Sequence, residues 1–178
     1  RQRVLVVERS DRRVASSGQW LMRLPQEDFC QVEGCSLLRK YENDGGPGLK
    51  ALFGTLRQSV NAEADMKTLM AAQVLFWLLR APDGHAKNFS IQLLPRGRFQ
   101  LTPLYDGMSV YPVLGNAPNQ WSPHEIKLAM ALLGKNRHYE MQGIQRRHFN
   151  STVQKVGYAS TAEPIIEEIL ARTPAAIA

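Results

Sequence analysis

The stretch Asp83-Gly84-His85-Ala86-Lys87-Asn88 brings a carboxylate, an imidazole, an ammonium and a side-chain amide together on one short segment. Further along, Tyr105-Asp106-Gly107 adds a second carboxylate beside a phenol. Phosphoryl transfer needs little covalent help from a protein. It needs a carboxylate near the attacking hydroxyl, and oxygen ligands that hold magnesium against the phosphates. Asp83 suits the first task, and Asn88 with Asp106 suits the second. Singly, each piece is ordinary: Asp-Gly is a turn signal that Asn88 would cap, and Tyr-Asp-Gly is a loop. Their order and their surroundings are what point to chemistry.

Those surroundings are a helix and a hairpin. Across residues 61–79, Met66, Leu69, Met70, Val74, Trp77 and Leu78 recur at helical spacing, which predicts a helix with one apolar face. Its second half is apolar all round, which predicts burial, and Pro82 is expected to end it. The chain would then drop from a rigid buried helix straight into Asp83. Residues 89–94 and 98–101, joined by Pro95-Arg96-Gly97, read as a half-buried hairpin lying between Asn88 and Asp106. Upstream, residues 3–8 and 19–24 read as the strands of a hairpin around a polar loop at 10–18. Pro25 is expected to open a helix, with Gln26, Glu27 and Asp28 in its first turn, and residues 43–48 must be a loop. Residues 126–132 fit both a strand and an amphipathic helix. Ser122-Pro123-His124-Glu125 suggests a helix cap, Gly134-Lys135-Asn136 suggests a hairpin turn, and both readings stand. Residues 145–156 and 162–171 read as helices.

The chain has 178 residues, enough for one domain or one large lobe of something bigger. It begins with Arg1 and enters a strand-like run at once, which reads as a truncated or processed product. Hydrophobic content of 44% and charged content of 21% are those of a soluble globular protein. There is no apolar run long enough for a membrane span and no signal-peptide pattern. Cys30 and Cys35 lack the partners for a zinc site or a disulfide framework and read as free thiols in a reducing cytosol. The four histidines have no metal-binding spacing. The net charge of +6 favours anionic partners: nucleotide phosphates, nucleic acid or an acidic protein surface. The basic clusters at 9–13 and 135–147 are not interleaved with aromatics as a single-strand groove would be, and read as solvated surface.

In protein kinases, a loop aspartate is followed five residues later by a magnesium-binding asparagine, and then, after a short hairpin, by a metal-binding aspartate. Asp83, Asn88 and Asp106 repeat that order. Ala81 and Pro82 stand where kinases carry His-Arg, and the Phe of Asp-Phe-Gly is absent. The resulting D-x-H-x-x-N resembles the loop of phosphoinositide-type lipid kinases. As a whole, D-G-H-A-K-N-F-S followed by L-T-P-L-Y-D resembles the HipA family of bacterial serine/threonine kinases, the toxins of toxin–antitoxin pairs. V-V-E-R-S-D-R-R, R-L-P-Q-E-D-F-C-Q, K-Y-E-N-D-G-G-P-G and H-E-I-K-L-A-M carry the same resemblance in the same order.

That resemblance covers the family's C-terminal portion and implies an α+β fold, a protein-kinase-like C-terminal lobe, mostly helical, with small hairpins carrying the active-site loops. It implies ATP and Mg2+ as cofactors. Asp83 would be the general base, and Asn88 and Asp106 the metal ligands. His85 and Tyr105 would lie at the nucleotide, Gln26 on the ribose side, and Glu8, Arg9 and Ser10 where a hinge meets adenine. Ser10 departs from the apolar residue expected there. Lys87 would steady a phosphate or face water. The implied partners are a protein substrate such as an aminoacyl-tRNA synthetase and a HipB-like DNA-binding antitoxin, in the bacterial cytoplasm. No Gly-rich phosphate loop or strand lysine is present; the family keeps these in its N-terminal portion. Two alternatives stand beside this reading: transfer to a lipid or small molecule, and a non-catalytic module that binds the antitoxin.

Overall fold

A computed structural model of the chain describes residue 4 and residues 6–177. Among these residues, five helices and three small antiparallel sheets form an α+β fold. The first sheet pairs β1 (Arg12–Val14) with β2 (Leu21–Arg23), the second orders β3 (Gln26–Asp28), β4 (Ser90–Leu94) and β5 (Arg98–Leu101), and the third pairs β6 (Lys127–Leu133) with β7 (Arg137–Glu140). The helices are α1 (Phe29–Val32), α2 (Leu49–Leu56), α3 (Ala62–Leu78), α4 (Arg146–Lys155) and α5 (Glu163–Ile177).

The core forms around α3, with α2 and α5 packed against it and β5 crossing its start. Phe29, Phe53, Phe89, Phe149, Leu52, Leu69 and Met130 are fully enclosed, each worth ~1.5–3 kcal/mol relative to exposure. Glu63 and Asp65 stand in the first turn of α3, where carboxylates complement the helix dipole. Asp65 does more than that: it accepts hydrogen bonds from the Ser59 hydroxyl and, at 2.9 Å, from the Leu101 N–H. The start of the helix is thereby tied to the strand that leads toward Asp106.

The other end of α3 departs from expectation. The helix stops at Leu78, before Pro82 can act on it. Arg80 adopts a left-handed conformation (φ 50°), Ala81 N–H donates to Phe76 O and Arg80 N–H to Trp77 O. This is a Schellman-type stop, which satisfies the final carbonyls. Nor is the helix buried all round, since Leu78 and Leu79 remain 36% and 48% exposed.

Two other expectations are corrected. The strand expected at 3–8 lies partly outside the described residues, and residues 6–8 form no strand. The hairpin instead uses Arg12–Val14 from the expected loop. Gly18, at φ 72°, closes a tight turn between Ala15 and Trp20, and a turn that tight sets the partner of Leu21–Arg23. Residues 26–28 are β3 and not the first turn of a helix. They pair with Ser90–Gln92, and Asp28 then caps α1 in a capping box with Gln31. The hairpin at 90–101 forms as expected, and residues 127–140 resolve as a hairpin.

Candidate active site

Asp83 lies in a turn just beyond α3, on a loop that bonds to itself. Its carbonyl accepts from the His85 N–H at 2.9 Å and from the Asn88 side-chain amide at 2.7 Å. Residues 86–88 close the loop with a 3-10 turn, in which Asn88 N–H donates to His85 O. Using the Asn88 NH2 on the backbone leaves its Oδ1 as the atom available to a cation. Gly84 has to be glycine: a Cβ there would run into the Phe76 ring. Phe76 packs edge-on against Phe89 and also faces Gly107, so one side chain backs the loops of Asp83 and Asp106 together.

Asp106 is exposed and holds a left-handed backbone (φ 56°), which Asp and Asn tolerate better than other non-glycine residues. Its loop is fastened on both sides. Ser109 hydroxyl donates to Leu79 O at 2.6 Å and Val110 N–H to Arg80 O, so the segment caps the end of α3. On the other side, the Tyr105 hydroxyl donates to Lys87 O at 2.8 Å and lies 2.5 Å from Ser90 Oγ. Burial pushes the Tyr105 phenol pKa up, so it stays protonated and bonding.

His85 is only 3% exposed. Burial lowers its pKa, the charges of Asp83 and Asp106 pull it back up, and Lys40 pushes it down. Both carboxylates therefore act on this ring. Its Nε2 is 3.5 Å from Asp83 Oδ1, and neither ring nitrogen has a hydrogen-bond partner among the described residues. A buried imidazole without partners is costly unless something else engages it.

Lys87 is already engaged. Its ammonium pairs with Asp28 at 2.6 Å, which raises its pKa. Five of the nucleotide-side candidates meet in a single cavity of about 390 Å³: Glu8, Arg9, Ser10, Gln26 and Tyr105, together with Leu104. Arg9 there pairs with Asp11 at 2.8 Å. His85 and Lys87 do not line this cavity.

Sequence reasoning missed three supports: Phe76, Asp28 as the partner of Lys87, and Tyr41. The Tyr41 hydroxyl donates to Asp83 Oδ1 at 2.5 Å and its ring stands edge-on to His85. Tyr41 belongs to the K-Y-E-N-D-G-G-P-G stretch, yet no local pattern announces a partner so far along the chain. Cys30 and Cys35 are free thiols. Among the described residues, no cluster of three or more His, Cys, Asp or Glu forms a metal cage, and no helix is long and apolar enough to cross a membrane.

The chain belongs to the HipA-like C-terminal domain family, which it matches over residues 1–177. Among particular relatives, it is 40% identical over 113 residues to a putative kinase, Y4mE, of Sinorhizobium fredii, covering 62% of this chain and 26% of that protein. It is 33% identical over 147 residues to the serine/threonine-protein kinase toxin HipA of Shewanella oneidensis, covering 74% of this chain and 31% of that one. A solved complex of Shewanella oneidensis HipA, HipB and operator DNA contains a chain that superposes with a TM-score of 0.77 at 26% identity, over 96% of this chain and 40% of the other. The chain thus spans about a third or less of the length of these two curated relatives.

Proposed function

We propose that this chain is the C-terminal catalytic lobe of an ATP- and magnesium-dependent serine/threonine protein kinase from a bacterial toxin–antitoxin system. The observation that carries this reading is the joint seating of the Asp83–Asn88 loop and the Asp106 loop on Phe76, around a buried histidine without partners. Naming of the relatives as kinases supports it.

Asp83 accepts the proton of an acceptor hydroxyl as that oxygen bonds to the γ-phosphorus and the bond to ADP breaks. Asn88, through Oδ1, and Asp106 hold magnesium. A site with few protein oxygens suits this ion, which takes one or two carboxylates and completes its shell with phosphate and water. Magnesium, when bound, neutralises charge on the phosphates. Glu8, Arg9 and Ser10 meet the adenine, Gln26 the ribose, and Tyr105 and His85 the nucleotide side of the loop. Lys87 braces the loop through Asp28 and is poised beside the phosphates. The Gly-rich loop and strand lysine come from an N-terminal lobe, so residues 1–178 alone bind Mg–ATP weakly and do not turn over. The acceptor is a serine or threonine of a translation-related protein, such as an aminoacyl-tRNA synthetase, in the bacterial cytoplasm, and a HipB-like antitoxin is the partner.

The test is labelled phosphate transfer from Mg–ATP by the chain extended upstream, beside its Asp83→Asn variant. Transfer that vanishes in the variant supports the reading, and no transfer from the folded, unphosphorylated wild type sinks it. The HipA–HipB–DNA assembly supports the binding half of a second reading, in which the chain is an antitoxin-binding module without catalysis of its own. In that case Asp83→Asn would leave antitoxin binding and every cellular effect intact.

A further inference from the structure

Asp83 is approached from a direction that the nucleotide-side residues leave open. Tyr41 lies 42 positions upstream of it, and its phenol donates to Asp83 Oδ1 at 2.5 Å. This contact is built in by its surroundings. The neighbouring Glu42 carboxylate is enclosed, accepts the Ala131 N–H at 2.6 Å and lies 3.3 Å from Arg137, so the loop is bolted to β6. Gly46 turns back onto Tyr41, donating its N–H to Tyr41 O at 2.9 Å, and a Cβ at Gly46 would strike the Arg39 and Tyr41 carbonyls. The Tyr41 ring packs on His85 at 5.1 Å between centroids. The hydrogen bond to Asp83 pushes the Tyr41 pKa up to about 12, so it remains a donor throughout the physiological range.

Tyr41 also walls a cleft of about 320 Å³, with Asp44, Pro82, Lys127 and Tyr139. Pro82 immediately precedes Asp83, and the cleft shares no residue with the cavity of Glu8, Ser10 and Gln26. Pro82 and Lys127 also line the adjoining cleft of about 470 Å³ beside Trp121, which extends this side of the site into a trough. A small hydroxyl metabolite would not need such a length; an extended polypeptide segment would.

We propose that Tyr41 is a positioning residue that orients Asp83 from the acceptor side, tying one carboxylate oxygen so that the other faces a serine or threonine hydroxyl entering along the Pro82–Lys127 trough. The inference rests on the kinase reading and assigns the acceptor path within it. A general base is effective only when held in hydrogen-bonding reach of the proton it takes, and a carboxylate free to rotate is not.

The experiment uses the full-length kinase with Mg–ATP and dephosphorylated casein as the acceptor, comparing wild type, Tyr41→Phe and Lys127→Trp, with Asp83→Asn as the inactive control. Tyr41→Phe keeps the ring on His85 and removes only the hydroxyl. Expected is a fall in kcat of at least about tenfold, the scale of a misplaced catalytic group, with KM for ATP and thermal unfolding unchanged. Lys127→Trp, which crowds the trough from an exposed strand position, should raise KM for casein and leave KM for ATP alone. An unchanged or raised kcat in Tyr41→Phe overturns the proposal, the raised value showing the phenol to be an occluder. An unaltered casein KM in Lys127→Trp overturns it too. A wild type that transfers nothing sinks the kinase reading itself, which is a separate outcome.

Discussion

Single residues around Phe76 decide where the two carboxylates stand. Gly84 leaves no room for a methyl group against that ring, and the ring is itself backed by Phe89 at 6.0 Å. Gly84→Ala should therefore destabilise the chain by ~1–3 kcal/mol, the usual cost of overpacking, and abolish transfer by shifting Asp83. Urea unfolding checks the first effect, and unaltered stability would show the ring to be more yielding than its packing implies. Asp106 offers the complementary case. Its left-handed backbone suits Asn as well as Asp, so Asp106→Asn keeps the loop while removing the charge. With Asp106 as a magnesium ligand, magnesium-dependent ATP affinity should fall on the order of 10-fold or more, a scale reached even by lost outer-sphere partners of a metal. The midpoint of unfolding should not move. ATP titrations at several magnesium concentrations would show it.

At the scale of elements, the site depends on ties between segments distant in sequence. Glu42 joins the Tyr41 loop to β6, where the pairing with β7 loses regular register between Lys127 and Leu132 and the Ala131 N–H turns to the carboxylate. Glu42→Ala should orphan that N–H at a cost of ~1–3 kcal/mol, and amide exchange at Ala131 should quicken well before the rest of β6. Equal protection in wild type and variant would show the tie to be dispensable. Such ties mark where the sequence stops being legible. Helix α3 and the β4–β5 hairpin could be read directly, because each repeats its own period locally; Asp83 and Asn88 fall between them, and Asp106 follows the hairpin. Strand β6 could not, because Ala129 and Ala131 are buried along with Leu128, Met130 and Leu132. A strand covered by α4 on one side and by the 42–44 turn on another loses the alternation that separates strand from helix. The Gln26-Glu27-Asp28 stretch reads differently for a related reason: Asp28 serves as cap and as Lys87 partner, roles set by β4 and the catalytic loop. Tyr41 and Asp28 are contributions of tertiary structure, since their partners Asp83 and Lys87 lie 42 and 59 positions further along the chain.

The molecule as a whole carries a net charge of +6, yet its acid sensitivity should be governed by two buried histidines. His148 is enclosed at the start of α4, where its Nδ1 accepts the Gln145 N–H and its ring stacks on His138 at 4.0 Å. Burial lowers its pKa, and His138 and Arg147 lower it further. His85 is likewise lowered, chiefly by burial. A histidine whose pKa in the folded chain lies below its unfolded value of about 6.5 binds its proton more readily when unfolded. Between the two values the unfolded state holds more protons, so stability rises with pH there. The contribution of these two residues should be fully present above about pH 6.5 and should be lost progressively as pH falls through the window below. Urea unfolding at a series of pH values between neutral and mildly acidic should show that decline before the carboxylates begin to titrate. His148→Gln, which can still accept the Gln145 N–H through its side-chain carbonyl, should flatten the α4 share of it and leave the share from His85. If the slope in that window is unchanged in His148→Gln, the acid response belongs to the active-site loop alone, and unfolding under mild acid would begin where phosphate transfer is proposed to occur.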